Sequence, residues 1–314
     1  MTVRSIDPEV ATMLAALDSG FPDVTAHTPQ QMRELVGARR GPASTEPPMR
    51  SVENTRVPGG PAVRVYRPES DGVLPVVVFA HGGGFVFCDL DSHDGLCREL
   101  AQRVGAVVVS VDYRLAPEHP GPAAADDVSA ALDWAHARAA DWGGDPDRLV
   151  LAGDSAGGNL AACAAIATVR RGGPVVAAQL LIYPVIDDDF DSESYRTYGS
   201  GYYNTEAAMR WYWSHYAPGG ARDETVAPSR APSLAGVAPA VVVTAEFDPL
   251  CDSGHRYAQQ LADAGIPVRT HRFDGLFHGF LAFPTLSHVG PALDRIAGLT
   301  RDVLGVRDDE RTTR

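Results

Sequence analysis

Gly153-Asp154-Ser155-Ala156-Gly157 satisfies the G-x-S-x-G pattern of a serine nucleophile. With 31 glycines in the chain the pattern alone is weak, and its force comes from its place. It follows a short apolar run, Leu149 to Ala152, and precedes a helical pattern from Ala156 to Arg170. A strand, a sharp turn of small residues and a helix would present Ser155 outward at the carboxyl end of a sheet. The competing reading, a Gly-rich anion loop, lacks both the P-loop lysine and the G-x-G-x-x-G order.

An acyl transfer also needs donors for the oxyanion. His81-Gly82-Gly83-Gly84-Phe85 follows another apolar run, Leu74 to Ala80. Successive glycines can turn their N–H groups toward developing negative charge. Gly83 and Gly84 are the expected donors, with Gly82 in reserve and the N–H of Ala156 completing the pocket. His81 is read as shaping this loop rather than as a base.

A serine hydroxyl is a poor nucleophile until a base accepts its proton. Of ten histidines, His278 is best placed, in an expected loop from Asp274 to Phe280 after the last strand. His93, His119, His136 and His255 sit in or beside expected helices, His271 within a strand, and His215 within an insertion; His27 and His288 have no supporting context. Asp248, just past the run Ala240 to Ala245, would orient the imidazole and gives the chain order Ser, Asp, His. Glu246 and Asp252 are the alternatives. No H-e-x-x-H-like spacing suggests a metal, and no cofactor is expected.

Such a constellation must be carried by a rigid scaffold. Apolar runs at 74–80, 106–111, 149–152, 178–183 and 240–245 read as strands buried on both faces. Helical patterns at 91–103, 123–140, 156–170 and 253–264 alternate with them, which predicts a parallel sheet covered on both sides. Residues 51–67 read as two antiparallel strands around Pro58-Gly59-Gly60-Pro61, 268–273 as a last strand and 291–304 as a closing helix. Two stretches break the alternation. Residues 1 to about 48 carry two helices, 8–17 and 30–39. An acidic then aromatic insertion at about 186–217, with Trp211-Tyr212-Trp213, is either a lid or a helix that merely packs. The tail 307–314 is expected to be disordered.

Composition removes other functions. The 314 residues are 45% hydrophobic and 21% charged, as in an ordinary globular chain. All 27 basic residues are Arg, so Schiff-base and Walker-lysine chemistry are impossible. A net charge of −13 without an Arg-dense segment argues against nucleic acid. No apolar stretch suits a membrane span or a signal peptide, and four cysteines without a C-x-x-C pairing fit free thiols in the cytoplasm.

The assembled pieces resemble the hormone-sensitive-lipase family of α/β-hydrolases, the bacterial group IV carboxylesterases. They are His81-Gly-Gly-Gly-Phe85, Asp91-Ser-His-Asp94, Tyr113-Arg-Leu-Ala-Pro-Glu-His119 with Pro122-Ala-Ala124, Gly153-Asp-Ser-Ala-Gly-Gly-Asn159, Asp248-Pro-Leu250 and His278-Gly-Phe280. Gly121 departs from the bulky residue expected there. The resemblance implies an α/β-hydrolase fold with a mostly parallel eight-stranded sheet flanked by helices. It also implies a triad of Ser155, Asp248 and His278, an oxyanion hole of Gly83, Gly84 and Ala156, and no cofactor. Residues 1–48 and 186–220 would form a helical cap over a catalytic domain of 49–185 and 221–314. The expected activity is hydrolysis of small-molecule esters of short to medium acyl length through an acyl-enzyme. A deacetylase or lactonase, and a non-catalytic small-molecule receptor on the same fold, are the alternatives. Oligomeric state is left open, a homodimer being one option.

Overall fold

The computed structural model describes residues 6–39, 41 and 45–305. The expectation of a disordered tail at 307–314 lies outside the described residues. Eight strands form one sheet in the order β1-β2-β4-β3-β5-β6-β7-β8. They are β1 (Ser51–Arg56), β2 (Ala62–Arg67), β3 (Leu74–Ala80), β4 (Val107–Asp112), β5 (Gly144–Asp154), β6 (Val176–Ile182), β7 (Ala240–Phe247) and β8 (Val268–Phe277). β1 and β2 pair antiparallel, as does β2 with β4, and every later pairing is parallel.

Alternation along each strand builds two cores. In β3, Val76, Val78 and Ala80 face one layer while Val77 and Phe79 face the other. The first layer is covered by α4 (Ala123–Arg138), α5 (Ala156–Arg171) and α8 (Cys251–Asp263), through residues such as Val128, Leu160 and Tyr257. The second is covered by α3 (Asp94–Leu100) and α9 (Val289–Val303), through Leu100, Leu293 and Ile296. Burying each such side chain contributes about 1.5–3 kcal/mol, which is why strands without a polar face tolerate no exposure.

This order also places the chemistry. The chain steps from β3 to β4 on one side and then returns to β5 on the other, so the connections leaving the carboxyl ends of β3 and β5 run in opposite directions, a switch point where α/β sheets bind ligands. Ala80 is in register with Gly153, which sets the glycine loop beside the serine turn. Phe247 is in register with Phe277, which brings Asp248 and His278 together at the ends of β7 and β8.

Several boundaries differ from the sequence expectation, three of them informatively. The helix expected from residue 91 starts at Asp94, because the Asp89 carboxylate accepts the N–H groups of Asp91 and Ser92, both at 3.0 Å, and holds 89–92 as a turn. It ends in a π-helical turn, Ala101–Gly105. β5 begins at Gly144 through the polar Asp145-Pro-Asp-Arg148, which offers no apolar run to read. β8 continues to Phe277 instead of yielding to a loop at Asp274; Gly275, at φ +79°, absorbs an irregularity there and donates its N–H to Glu246 at 2.6 Å.

Outside the sheet and its flanking layers lie α1 (Pro8–Gly20), α2 (Pro29–Ala38), α6 (Glu193–Tyr198) and α7 (Glu206–Tyr216). α1 starts at an Asp7 cap and α2 at a Thr28/Gln31 capping box, both with proline in the first turn. Gly121 is explained here: a Cβ on it would lie 2.5 Å from Val226 and 2.9 Å from the Tyr216 ring, so α7 fills the space a bulky residue would need. No described helix is long and apolar enough to cross a membrane.

Candidate active site

Ser155 stands between β5 and α5 at φ +55° and ψ −117°, a conformation that costs an L-residue energy and is held by its neighbours. Its N–H donates to the Ile182 carbonyl at 2.8 Å and its own carbonyl accepts from Val185 at 3.0 Å. Gly157 must be glycine: a Cβ there would lie 1.9 Å from the Ala80 carbonyl oxygen. The helix therefore approaches β3 closely enough to bring its first turn to the glycine loop.

Ser155 Oγ is 2.9 Å from His278 Nε2, and His278 Nδ1 is 2.8 Å from Asp248 Oδ2. All three side chains are buried. The second oxygen of Asp248 accepts the Leu250 N–H at 2.8 Å, which fixes the carboxylate at the mouth of α8. The alternative acids are engaged elsewhere: Glu246 with Gly275, and Asp252 with the Ser194 N–H at 2.9 Å. His278 also sits edge-on against Tyr183, with centroids 5.0 Å apart.

The glycine loop shares the cavity wall with Ser155 and His278. Gly83 and Gly84 adopt φ +114° and +58°, and their N–H groups donate to no described residue, leaving them available as donors. Gly82 has a different part: its N–H donates to Asp154 Oδ1 at 2.8 Å. His81 is fully buried, Nδ1 against the Gly82 carbonyl at 2.7 Å and ring stacked on Tyr113 at 4.3 Å. Burial pushes its pKa down to about 4, helped by the neighbouring His93, so it remains neutral and structural.

Asp154 and His93 were not singled out from the sequence. Asp154 is buried, and its Oδ1 lies 3.2 Å from His93 Nε2. Burial acts to raise the Asp154 pKa, but His93 and the Gly82 N–H outweigh it and hold the carboxyl below its usual range. His93, set beside an expected helix by the sequence, lines the same cavity as Ser155. The signal that could have found it was its place in Asp91-Ser-His-Asp94.

That cavity encloses about 520 Å³. Besides Ser155, His278, Gly83 and Gly84, its wall includes Leu17 and Phe21 of the first helical segment and Ala208, Met209 and Tyr212 of α7. Of Trp211, Tyr212 and Trp213, the aromatic run of the insertion, only Tyr212 lines it. Successive helical residues point about 100° apart. Trp213 packs against Phe85 at 5.7 Å and Trp211 stands half-buried against His215 at 4.4 Å. One potential metal-ligating group occurs among the described residues, Asp7, Glu9 and His288, and it shares no residue with the cavity wall.

A family model described as alpha/beta hydrolase fold matches residues 77–282. This chain belongs to that α/β-hydrolase family. The matched span of this α/β-hydrolase runs from β3 to the residues just after His278, so it contains the glycine loop, Ser155, Asp248 and His278. The carboxylic ester hydrolase LipN of Mycobacterium tuberculosis is 38% identical over 300 residues, covering 88% of this chain and 77% of the relative. The carboxylesterase NlhH of the same organism is 43% identical over 228 residues, 70% of this chain and 71% of the relative. Among solved structures, a thermostable esterase from Pseudomonas putida superposes with a TM-score of 0.88 at 31% identity, covering 97% of this chain and 99% of that one. These similarities agree with the hormone-sensitive-lipase branch that the motifs suggest.

Proposed function

We propose that this carboxylic ester hydrolase is a serine esterase in which Ser155 attacks, His278 shuttles the proton and Asp248 orients the imidazole. The observation that carries this reading is the unbroken line from Asp248 through His278 to Ser155, at 2.8 and 2.9 Å, opening on the cavity beside Gly83 and Gly84. His278 Nε2 takes the hydroxyl proton as Oγ bonds to the carbonyl carbon. The N–H groups of Gly83, Gly84 and Ala156 receive the oxyanion. The same proton then passes to the departing alcohol, and water activated by His278 releases the acid from the acyl-enzyme. The receptor alternative would not require a serine held in strained geometry within bonding distance of a base.

Residues 1–48 and 186–220 act in this reading as a cap over the catalytic domain of 49–185 and 221–314, closing the acyl end of the cavity. The lining contributed by Leu17, Phe21, Ala208, Met209 and Tyr212 supports that role. Esters of short to medium acyl length are therefore the expected substrates, because a bounded apolar pocket stops rewarding added methylenes once it is full. The substrate is a small molecule, and the charge of −13 speaks against nucleic acid. The four cysteines form no disulfide, which supports a place in the cytoplasm. The test is a series of p-nitrophenyl esters from acetate to palmitate with wild type and Ser155→Ala: activity should peak at short to medium length and vanish in the variant. A maximum at palmitate would refute the cap, and turnover by the variant would refute the nucleophile.

A further inference from the structure

The segment between α6 and α7 supplies part of the cavity wall through Tyr203, Asn204 and Thr205. Its backbone is held in an uncommon shape. The Asn204 N–H donates to the Tyr202 carbonyl at 2.9 Å across Tyr203, which has φ +71°, making a γ-turn of the rare positive-φ kind. Such a turn persists only where contacts over-determine it. Here the Tyr203 ring packs edge-on against Phe21 at 5.2 Å, Phe283 at 5.8 Å and Phe277 at 6.1 Å. On the other side Thr205 caps α7 by accepting the Ala208 N–H at 3.1 Å. Asn204 is thus fixed from both neighbours.

Asn204 is 7% exposed, its Nδ2 is closed off without a partner, and its Oδ1, which is not closed off, accepts from no described residue. Buried amides are nearly always satisfied, and a fold free to choose would place an apolar residue here. An unpaired amide anchored in the wall of a substrate cavity has the form of a subsite whose partner arrives with the ligand. A hydroxyl group fits it best, because it can donate to the amide oxygen, the end left open at the cavity, and would accept from the nitrogen were the amide turned over.

We propose that Asn204 is a specificity-determining residue that hydrogen-bonds a hydroxyl group on the acyl chain beyond the scissile carbonyl, so that hydroxyacyl esters are preferred substrates. The inference rests on the serine-esterase reading and on the cavity holding the acyl chain. A site with a polar group in waiting discriminates against an analogue that leaves it unpaired, whereas an apolar wall scarcely distinguishes the two.

The test compares ethyl 3-hydroxybutyrate, ethyl 3-hydroxyhexanoate and ethyl 6-hydroxyhexanoate with ethyl butyrate and ethyl hexanoate, following acid release at constant pH. The quantity read is kcat/KM for each hydroxyester divided by that of its chain-matched alkanoate. It is measured in wild type, Asn204→Leu and Asn204→Ala, so intrinsic ester reactivity cancels. Both variants should lower that ratio about fivefold or more for at least one pair, the position of the hydroxyl then locating the subsite. Hydroxyesters and alkanoates declining together, or ratios that stay within about twofold for every pair, would overturn the proposal. Failure of wild type to hydrolyse any of the five esters while Ser155 remains reactive would instead count against the acyl-pocket reading on which it rests.

Discussion

Asp154 accepts the Gly82 N–H at 2.8 Å, so the residue preceding the serine holds the loop that follows β3. The contact is tight: a Cβ on Gly82 would lie 2.6 Å from Asp154 Oδ2. The serine turn and the glycine loop are therefore positioned as one unit, across the β3–β5 pairing that sets Ala80 beside Gly153.

Asp154→Ala should release the glycine loop and lower kcat about 10²-fold, the scale of losing a preorganised oxyanion donor, with a smaller effect on KM. Asp154→Asn keeps an acceptor for Gly82 and should retain more activity. Steady-state kinetics on p-nitrophenyl butyrate check this, and equal losses in both variants would show that the acceptor is not what matters.

Gly84 and Tyr212 couple the oxyanion loop to α7. A Cβ on Gly84 would lie 2.3 Å from Tyr212 Cδ1, and the residue has φ +58°. Gly84→Ala should cut kcat at least about tenfold, since it displaces a donor as well as straining the backbone. The double variant Gly84→Ala with Tyr212→Ala should recover part of the loss, because it removes the clash though not the strain. A double variant with the product of the two single losses would contradict the coupling.

His81 makes stability depend on pH. Its pKa falls from 6.5 to about 4 on folding, so the unfolded chain binds a proton that the folded chain refuses. The contribution, about 3 kcal/mol at most, is full above pH 6.5 and is lost as the pH falls toward 4. Buried Asp154, with its lowered pKa, adds a loss in the same direction as the pH drops through the carboxylate range. Melting temperature measured from pH 7.5 to 4.5 should decline less steeply in His81→Gln than in wild type. Parallel declines would remove His81 from the account.

Deleting residues 1 to about 40 should destabilise the protein by several kcal/mol. It strips the buried Val10, Leu14, Val24 and Met32, each contributing about 1.5–3 kcal/mol, and breaks the bond from the Ser287 N–H to Glu9 at 2.9 Å. It also opens the cavity at Leu17 and Phe21, so chain-length preference should broaden. Differential scanning calorimetry and the ester series report both effects; an unchanged preference would mean that the segment does not bound the acyl pocket.

What could be read from the sequence was what obeys local rules. The buried strands announced themselves as apolar runs, and the serine turn and glycine loop as small residues directly after two of them. His278 and Asp248 stand out as candidates in the sequence because each comes after an apolar run near a strand end. Their adjacency needed the β7–β8 register, which no local pattern encodes. Asp154 and His93 escaped notice because their role lies in reaching across from one strand end to another; a lone acid or histidine beside a turn reads as an ordinary cap. Tyr212 could not be separated from Trp211 and Trp213 without the rotation of α7. The unpaired amide of Asn204 was invisible for a different reason, since satisfaction of a hydrogen bond is a property of the packed surroundings.

A covalent phosphonate probe reports whether Ser155 is the nucleophile of this esterase. Intact-mass measurement after treatment with a p-nitrophenyl alkylphosphonate should show one adduct on wild type, mapped by peptide sequencing to Ser155, with parallel loss of ester turnover. Ser155→Ala should take up no adduct and lose about 10⁴-fold or more in kcat, as expected when a triad acting as a unit loses its serine. An adduct on another residue, or a Ser155→Ala variant that keeps a tenth or more of wild-type turnover, would contradict the account.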